Sequence, residues 1–587
     1  MFSRKSLLVF LTAAVAGAGV AQTQPAPQAP AATAAAGMPE GGAPTYIRPE
    51  TPQQRRDRLG TNDDPGPNPD EKKIYYRFGK QFHIERYDRR WASFDGVEEG
   101  QVRPFGFVNV PKELYQQNEK YVWVWIEDHP QGADGVPVAP AAAPEKKFTD
   151  EQIAYVKAIR PEFQDLSVPR STKTIRFENS SDGLPTQGSW RNSLAVGDMN
   201  NDGFPDLICP PERNGAAFWP VIFLGDGKGH WKQWMDVQWP YGVQYGSAAV
   251  GDFNKDGKMD VAFGVHLNGV RVFLGNGKGK FIDGSKGLPA DDYPTRRVLV
   301  SDADQDGYPD VIAISEGPTS VPKALTHGKM VVFYNRNKGT EWLGQDLAAP
   351  QHVFGGDWMA TGKFNNDRYP DYVGASVYFQ GSEIIYRSQN KPVWEPVDTR
   401  SGLVVPFLSY YFAVAAGHLR TATKLDDAVL SYVRFWPTSM DPELVPDPPV
   451  KQLVGIDRIA FDGPEPKRTP IMRWPSSRGV WGMATGDFDG DNNQDIIFTK
   501  FDPREFVLLL GDGKGGFTRA NIDGMGADPN TNYDLTVADV NGDKRPDVIV
   551  MYESGASTRL ADQDGSIKVF LNRGVAKPAA AAAAATK

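Results

Sequence analysis

Short apolar runs alternate with polar, glycine-containing loops through the C-terminal two-thirds of the chain. In the first copy, an apolar run at 194–196 precedes a nine-residue polar loop, and a second run at 207–208 follows it. The same arrangement surrounds the loops that begin at Asp252 and Asp302. Apolar residues with period two, joined by a polar loop that contains glycine, are typical of a β-hairpin. The pattern therefore predicts a series of antiparallel hairpins.

Each hairpin is followed by two more apolar runs, so the repeating unit has four predicted strands. The third strand often ends in a glycine-rich turn, as at 225–229, 275–279 and 511–515, and the fourth begins at Phe281 or Phe517. Asp-Gly and Asn-Gly turns suit tight hairpins because their backbones accept positive φ. A four-stranded antiparallel unit that recurs about every 50–60 residues is typical of a β-propeller blade.

The repeats predict an all-β fold, and their number predicts a seven-bladed β-propeller over residues 174–574. Five of the loops are intact. A sixth copy at 363–371 keeps the spacing but begins with Lys363, and a decayed seventh copy lies around residues 412–430. The gap between the sixth copy and the next intact loop is too long for one blade, which is why the decayed copy is counted.

The last blade lacks a fourth strand of its own. Residues 177–184 resemble the fourth strand and exit turn at 281–288, but they precede the first blade. We therefore predict that residues 174–178 complete the last blade beside 566–571. Such a closure joins the ends of the repeat and leaves no open sheet edge.

The other segments are typical of an exported protein. Arg4 and Lys5 precede an apolar stretch that is typical of a signal peptide and short for a membrane span, so a retained anchor is the disfavoured alternative. We expect a bacterial protein of the periplasm or the cell exterior, with no membrane span after signal cleavage. The predicted segments are a signal peptide at 1–21, a disordered segment at 22–70, a small β-rich domain at 71–129, a Pro/Ala linker with a short helix at 130–173 and a disordered Ala-rich tail at 575–587.

The loops have the spacing of a cation site. Their pattern is Asp-x-Asn/Asp-x-Asp, and another aspartate follows at position nine of the loop. Three or four carboxylates on one short loop repel each other unless a cation binds between them. Ca²⁺ takes six to eight oxygen ligands. We predict that positions one, three, five and nine bind it through side chains and position seven through its backbone carbonyl; the alternative is an Asp-rich turn without metal. The predicted ligands of about five Ca²⁺ ions are Asp198, Asn200, Asp202, Phe204 and Asp206; Asp252, Asn254, Asp256, Lys258 and Asp260; Asp302, Asp304, Asp306, Tyr308 and Asp310; Asp487, Asp489, Asp491, Asn493 and Asp495; and Asp539, Asn541, Asp543, Arg545 and Asp547.

Two of the copies are predicted to bind no metal. Lys363 replaces the first acidic ligand of loop 363–371, where its ammonium can pair with Asp367 and Asp371. In the decayed copy at 418–427, His418 and Arg420 stand at the first and third positions.

The intact copies resemble the FG-GAP/VCBS repeats of integrin α-subunit propellers and of many bacterial exported proteins. The resemblance rests on the Gly-Asp pairs that open the loops at 197–198, 251–252 and 486–487, each with its closing aspartate. The segment 281–288 is also similar to repeats of the cartilage-acidic-protein-like group. The resemblance implies a calcium-binding β-propeller. It leaves activity open, because such repeats occur in adhesion subunits, lectins and lyases and fold does not imply function.

Composition and motifs narrow the possible functions. The formal net charge is −9, and the acidic residues of the loops account for much of it, which disfavours a nucleic-acid partner. The sequence contains no His-Glu-x-x-His zinc motif and no Gly-x-Ser-x-Gly nucleophile elbow. The only cysteine, Cys209, has no partner for an internal disulfide.

The loops that lead into the first strand of each blade carry aromatic and cationic side chains and should meet on the face opposite the calcium loops. Aromatic rings and arginines together can stack sugar rings and bind carboxylates. We therefore favour a binding or scaffold module for a glycan or protein over an enzyme. The alternative is a polysaccharide lyase, or another carbohydrate-active enzyme, that uses Arg, Tyr and His at this mouth; simple packing of the loops is also open. The candidate ligand-binding residues are Arg191, Arg297, Trp358, Tyr411 and Arg478.

Overall fold

The structure is a computed structural model, and two parts of the chain are described. The first is the backbone of 74–77, 81–85 and 123–124. The second is residues 150–577 except 192, 214–218, 267, 291–292, 294, 316–329, 348–355, 377–382, 398–408, 438–439, 464, 477, 502, 527–530 and 554–565. The predicted signal peptide, disordered segment and most of the Ala-rich tail lie outside the described residues. None of the helices in the described residues has the length and apolar character that crossing a membrane requires.

The described residues form two compact units. One contains a three-stranded antiparallel sheet of β1 (Ile74–Arg77), β2 (Gln81–Glu85) and β3 (Trp123–Val124). These strands lie in the segment for which alternation predicted strands. The bounds of a separate domain at 71–129 stay a prediction.

The other unit contains all the remaining strands and has a β-propeller-like architecture. Helix α1, Asp150–Ile159, leads into a 3-10 turn at Arg160–Glu162 and then into β4, Arg170–Asn179. After β4 come five separate four-stranded antiparallel sheets and one eight-stranded sheet.

The five separate sheets are numbered here in chain order, and each has its strands in sequence order. Sheet 1 has β5 (Ala195–Gly197), β6 (Asp206–Cys209), β7 (Val221–Gly225) and β8 (Trp231–Gln233). Sheet 2 has β9 (Gly246–Gly251), β10 (Asp260–Val265), β11 (Val270–Gly275) and β12 (Phe281–Asp283). Sheet 3 has β13 (Thr295–Ser301), β14 (Asp310–Ser315), β15 (Met330–Arg336) and β16 (Glu341–Asp346). Sheet 4 has β17 (Gly356–Gly362), β18 (Asp371–Ser376), β19 (Glu383–Ser388) and β20 (Trp394–Val397). Sheet 5 has β21 (Ser409–Gly417), β22 (Asp427–Phe435), β23 (Gln452–Ala460) and β24 (Lys467–Pro475).

The eight-stranded sheet consists of two runs of four strands, named here sheets 6 and 7. Sheet 6 has β25 (Met483–Gly486), β26 (Asp495–Lys500), β27 (Glu505–Gly511) and β28 (Phe517–Asp523). Sheet 7 has β29 (Thr531–Ala538), β30 (Asp547–Glu553), β31 (Ile567–Val575) and the early strand β4. A parallel pairing of β28 with β4 joins the two runs.

Strand β4 closes the repeat as the sequence predicts. Asn179 pairs with Phe570 and Glu178 with Leu571, in antiparallel register. The strand is longer than expected, however, because it begins at Arg170, so the predicted boundary at residue 174 falls inside it. Arg170 of this extension and residues 174–176 pair in parallel with β28, an interaction that alternation within β4 could not reveal.

Each sheet of this unit packs on the next through apolar faces, and the last packs on the first. Sheets 4 and 5 meet at the stacked rings of Phe364 and Phe461, 4.5 Å apart, and sheets 5 and 6 at Trp474 and Phe498, 6.0 Å apart. The other pairs share buried clusters: Ile208 with Phe273 (sheets 1 and 2), Val272 with Phe333 (2 and 3), Ile312 with Tyr372 (3 and 4), Leu508 with Phe570 (6 and 7) and Val569 with Leu207 (7 and 1). Because both faces of a sheet are covered, its second strand is buried along its whole length and is mostly apolar after the first aspartate, as in β10 and β14.

Candidate metal centres

The five intact loops occupy one position in their sheets, between the first strand and the second. Loop 198–206 joins β5 to β6, and loop 302–310 joins β13 to β14. The aspartate at position nine is always the first residue of the second strand and is fully buried. The carboxylates of each loop are therefore gathered at one end of a hairpin.

The aspartate at position nine binds the loop to the third strand. The Asp206 carboxylate accepts hydrogen bonds from the backbone N–H groups of Met199 (2.8 Å) and of Gly225 at the end of β7 (3.0 Å). Because Asp371 accepts the same bonds in the loop without a predicted metal, this role does not depend on a cation. The full set with this pair of bonds is Asp206, Asp260, Asp310, Asp371, Asp495 and Asp547.

Burial makes these carboxylates poor acids in the absence of a cation. Desolvation raises the pKa of Asp206, Asp260 and Asp310 to about 7, and that of Asp495 to about 8. The other carboxylates of each loop raise it further, and the two backbone hydrogen bonds oppose the rise. A divalent cation in the loop would reverse this balance, since it favours the charged form.

Two residues in each loop take the left-handed backbone conformation, at positions four and six. In loop 302–310 these are Gln305 (φ 61°) and Gly307 (φ 91°), and in loop 539–547 they are Gly542 (φ 75°) and Lys544 (φ 67°). Glycine occupies only one of the two positions in each loop, so the other residue bears a steric cost. The glycine stands at position six in three loops and at position four in loops 487–495 and 539–547, and the sequence pattern did not indicate the second positive φ.

Replacement of a strained non-glycine residue at positive φ by glycine should give a more stable protein. Lys544→Gly should raise the free energy of unfolding by about 0.5–1 kcal/mol, because glycine adopts positive φ without strain while losing more chain entropy on folding. Lys544 is exposed, and its backbone N–H donates to Asp539 Oδ2 at 2.7 Å, a bond that glycine keeps.

Urea unfolding at saturating Ca²⁺ would measure the change. Lys544→Gln removes the same charge but keeps the strain, and Gly542→Ala adds strain in the same loop. A glycine variant no more stable than the glutamine variant would contradict the expectation.

Two loops hold their carboxylates close enough for one ion to bind three of them. The oxygens of Asp302, Asp304 and Asp310 lie within 4.8 Å of one another, as do those of Asp487, Asp489 and Asp491. Asp302 Oδ1 is buried and has no hydrogen-bond partner within the described part of the chain. A buried carboxylate oxygen without a partner is costly unless a cation binds it. An oxygen-only set of this kind fits a hard cation such as Ca²⁺.

Loop 363–371 satisfies its carboxylates without a metal, but not in the way the sequence predicts. The Ser388 hydroxyl donates to Asp367 at 2.7–2.8 Å, and the backbone N–H of Asn390 donates to it at 2.9 Å. In the contacts of the described residues, the Lys363 ammonium does not pair with Asp367 or Asp371. The Lys363 backbone N–H donates to the Asp426 carboxylate, and its carbonyl accepts the Asp426 N–H. Ser388 lies at the end of β19, and its distance in sequence from the loop hid its role as a partner of Asp367.

In loop 418–427, arginine side chains bind the buried carboxylate. The Arg420 guanidinium donates to both oxygens of the buried Asp427, at 2.9 and 2.8 Å, and to Asp462 at 2.6 Å. Arg458 adds a bond to Asp427 at 2.9 Å. Two guanidinium groups therefore neutralise the position that a metal would occupy.

The five candidate ligand-binding residues are engaged with different partners inside the protein. Arg191 is buried, 3.8 Å from Glu553, and half-buried Arg297 pairs with Asp534 of sheet 7. Trp358 and Tyr411 are buried against other rings, those of Trp481 and Tyr432 among them. Only Arg478 is exposed; its guanidinium lies 5.9 Å from the Phe501 ring. Burial leaves Arg191, Trp358 and Tyr411 little surface with which to touch a ligand.

A cluster that the sequence did not single out lies at the end of the second strands. Tyr245 Oη is 3.4 Å from His266 Nε2, and the two rings are stacked 4.5 Å apart. The Arg213 guanidinium lies 5.8 Å from the Tyr245 ring and 2.5 Å from Glu553. Tyr245 was visible as an aromatic residue of this face, but its two partners have no characteristic spacing from it.

Comparison with known proteins supports the interpretation of the loops. Residues 487–550, which contain the loops 487–495 and 539–547, match the FG-GAP-like repeat family. Human integrin alpha-7 is 30% identical over 151 residues, 22% of this chain and 12% of that protein. Cartilage acidic protein 1 of Xenopus tropicalis is 34% identical over 121 residues, 19% of this chain and 18% of that protein. The chain thus spans less than a fifth of either relative, and the predicted FG-GAP resemblance is confirmed.

The solved structures that match this chain do so at low TM-scores and with little shared sequence. BBS1N in complex with ARL6DN, soaked with mercury, gives a TM-score of 0.39 at 8% identity and covers 68% of this chain and 97% of that chain. The V. cholerae biofilm matrix protein Bap1 gives a TM-score of 0.33 at 13% identity and covers 71% of this chain and 92% of that chain.

Proposed function

We propose that this β-rich chain, an FG-GAP repeat protein, is a bacterial exported binding or scaffold module whose seven-bladed propeller is stabilised by about five Ca²⁺ ions. The blade count rests on five separate four-stranded sheets and one eight-stranded sheet of two four-strand runs. The ring rests on the shared apolar cores that connect each sheet to the next and sheet 7 to sheet 1.

The observation that carries the calcium proposal is the unpartnered Asp302 Oδ1 within the Asp302, Asp304 and Asp310 cluster. Three carboxylates this close are unfavourable without a cation, and a bound ion would neutralise them and fix the hairpin. Loops 363–371 and 418–427 support the proposal by contrast. Where a hydroxyl or two guanidinium groups satisfy the carboxylates, the acidic residues at positions one and three are missing.

Binding is favoured over catalysis because the repeated carboxylates serve the loops. The opposite face offers the exposed Arg478 and the half-buried Arg297, cations on an acidic protein. Arginine binds carboxylate and sulfate groups with two parallel hydrogen bonds. The ligand class that fits is an anionic glycan, or an acidic segment of a partner protein.

A test of this face uses a variant that lacks both arginines. Arg297→Ala with Arg478→Ala should weaken binding of a uronic-acid glycan at least about tenfold, since each charge-assisted hydrogen bond contributes about 1.5–3 kcal/mol. A glycan array would identify the ligand, and titration calorimetry would measure the affinity.

Two control variants accompany it. Asp534→Asn breaks the ion pair of Arg297 but keeps the guanidinium, and Lys232→Ala removes an exposed charge from β8. A blank array, or unchanged affinity in the double variant, would refute this assignment.

The Tyr245, His266 and Arg213 cluster favours a second candidate, a polysaccharide lyase. A tyrosine and a histidine within hydrogen-bond reach can transfer a proton, and a nearby guanidinium can bind a uronate carboxylate. Because Tyr245 and His266 are buried, binding stays the first choice. Incubation with uronic-acid polysaccharides, with Tyr245→Phe as control, would decide through the ultraviolet absorbance of the unsaturated product.

A further inference from the structure

A lysine from the start of the repeat reaches one of the metal loops near its end. Lys173 lies on β4, and its ammonium is 2.5 Å from Asp489 Oδ2 and 3.9 Å from Asp491 Oδ2. Both carboxylates belong to the cluster of loop 487–495 that could hold a metal. The Asp489 side chain is only 1% exposed, whereas the Lys173 side chain is 43% exposed, so water screens this contact in part.

This contact differs from the other cation pairs of the metal loops. Lys258, Arg336 and Arg545 pair with carboxylates of a loop in their own sheet. Lys173 and Asp489 are 316 residues apart, and Lys173 belongs to the strand that joins sheets 6 and 7. In the described part of loop 198–206, by contrast, the carboxylate contacts are with backbone N–H groups and the Asn200 amide.

We propose that Lys173 and Ca²⁺ are alternative partners of loop 487–495, so that calcium binding there releases the first residues of β4 from the edge of sheet 6. The inference rests on the proposed calcium function of the loops. A divalent ion among Asp487, Asp489 and Asp491 lies within about 5 Å of the ammonium, where like charges repel strongly.

The release is confined to the N-terminal part of β4. Residues 170–173 are largely exposed, whereas Ile175 and Phe177 are buried in the core between sheets 6 and 7. Thr174 is also held from the other side, where its carbonyl accepts the Ala576 N–H at 2.7 Å. The closing pairs with β31 and the pairing of Thr174 with Asn521 therefore stay, and only the edge of β28 near Arg519, which pairs with Arg170, is uncovered. An uncovered edge has free N–H and C=O groups that another extended segment can pair with.

Hydrogen exchange with mass spectrometry during a Ca²⁺ titration tests the proposal on the full-length protein. In the wild type, peptides of loop 487–495 should gain protection at the same Ca²⁺ concentration at which residues 170–173 lose it. Lys173→Met should lower the midpoint of loop 487–495 about twofold to fivefold, because it removes one partly exposed ionic interaction that competes with the ion. The midpoint of loop 198–206 should not move.

Arg176→Met is the matched control, since Arg176 lies on the same strand and is exposed, 3.8 Å from Asp523 outside the loop. It should leave every midpoint unchanged. Equal midpoints for loop 487–495 in the wild type and Lys173→Met, or protection of 170–173 that rises with Ca²⁺, would overturn the competition while the calcium function stands. If no loop responds to Ca²⁺, both proposals fail together.

Discussion

Removal of Ca²⁺ by a chelator is expected to lower the melting temperature by more than about 10 °C. An ion that binds only the folded state adds about 2.7 kcal/mol at a concentration one hundred times its dissociation constant, and about five such ions act together. The carboxylates that the ions neutralise are buried or close together, so their repulsion opposes folding once the ions leave. Calorimetry with and without chelator would measure the shift, and Mg²⁺ in place of Ca²⁺ is the control.

The number of ions is testable one loop at a time. Asp302→Ala removes the buried, unpartnered oxygen of loop 302–310 and should leave four ions. Metal analysis of the wild type should return about five ions per chain, whereas zero or seven would contradict the assignment of loops. Zero would mean Asp-rich turns without metal, and seven would mean that Lys363 and Arg420 do not replace the ion.

The effect of pH should reverse between the calcium-free and calcium-bound protein. Without the ion, the pKa of Asp495 is about 8 and those of Asp206, Asp260 and Asp310 about 7, all raised from 3.8 by desolvation. The folded state then binds more protons than the unfolded chain, so stability falls as pH rises from about 4 to about 8. With the ion, protonation expels it, so stability should fall as pH decreases. Melting temperatures at pH 5 and pH 8, each with and without chelator, would show whether the slopes differ in sign.

Truncation of the closing strand at Phe177 is expected to lower the free energy of unfolding by about 3–5 kcal/mol. The ring of Phe177 is buried in the core that sheets 6 and 7 share, 6.3 Å from Phe488. Phe177→Ala leaves a cavity where the early strand β4 packs in the core that the last two sheets share. Urea unfolding would measure the loss.

Ile282→Ala is the matched control, because Ile282 lies on the fourth strand of sheet 2 with 55% of its surface exposed. Its effect should stay within about 0.5 kcal/mol. Equal losses in the two variants would show that β4 does not hold the repeat closed.

Local patterns in the sequence predicted the parts of this fold that short segments determine. The hairpins and their loops follow from period-two alternation. The pairing of 174–178 with the last sheet follows from the similarity of segments 177–184 and 281–288. The first half of β4 escaped prediction because its partner is the edge of β28, about 350 residues away along the chain, and a parallel pairing has no turn to reveal it. The position-nine aspartates were assigned to metal alone, since their second hydrogen bond comes from a third strand whose register alternation does not give.

The opposite face shows why a ligand site was harder to predict. Arg297 and Asp534 lie on the first strands of sheets 3 and 7, far apart in sequence, and pair directly. Arg420, in the loop between β21 and β22, and Arg458, on β23, likewise meet at Asp427. A sequence shows which cations are present but not which carboxylates they already bind. Arginines that looked available for a ligand are in part held by the protein itself.

The position of β4 also determines when the repeat can close during synthesis. Glu178 and Arg573, which bond across the closing pair, are 395 residues apart, so at about 5–20 residues per second a ribosome makes the second about 20–80 s after the first. Throughout that interval β4 has no partner on the last sheet, and contacts that join such distant residues form slowly. The five separate sheets can form as they are made, but the repeat can close only when its last strand arrives.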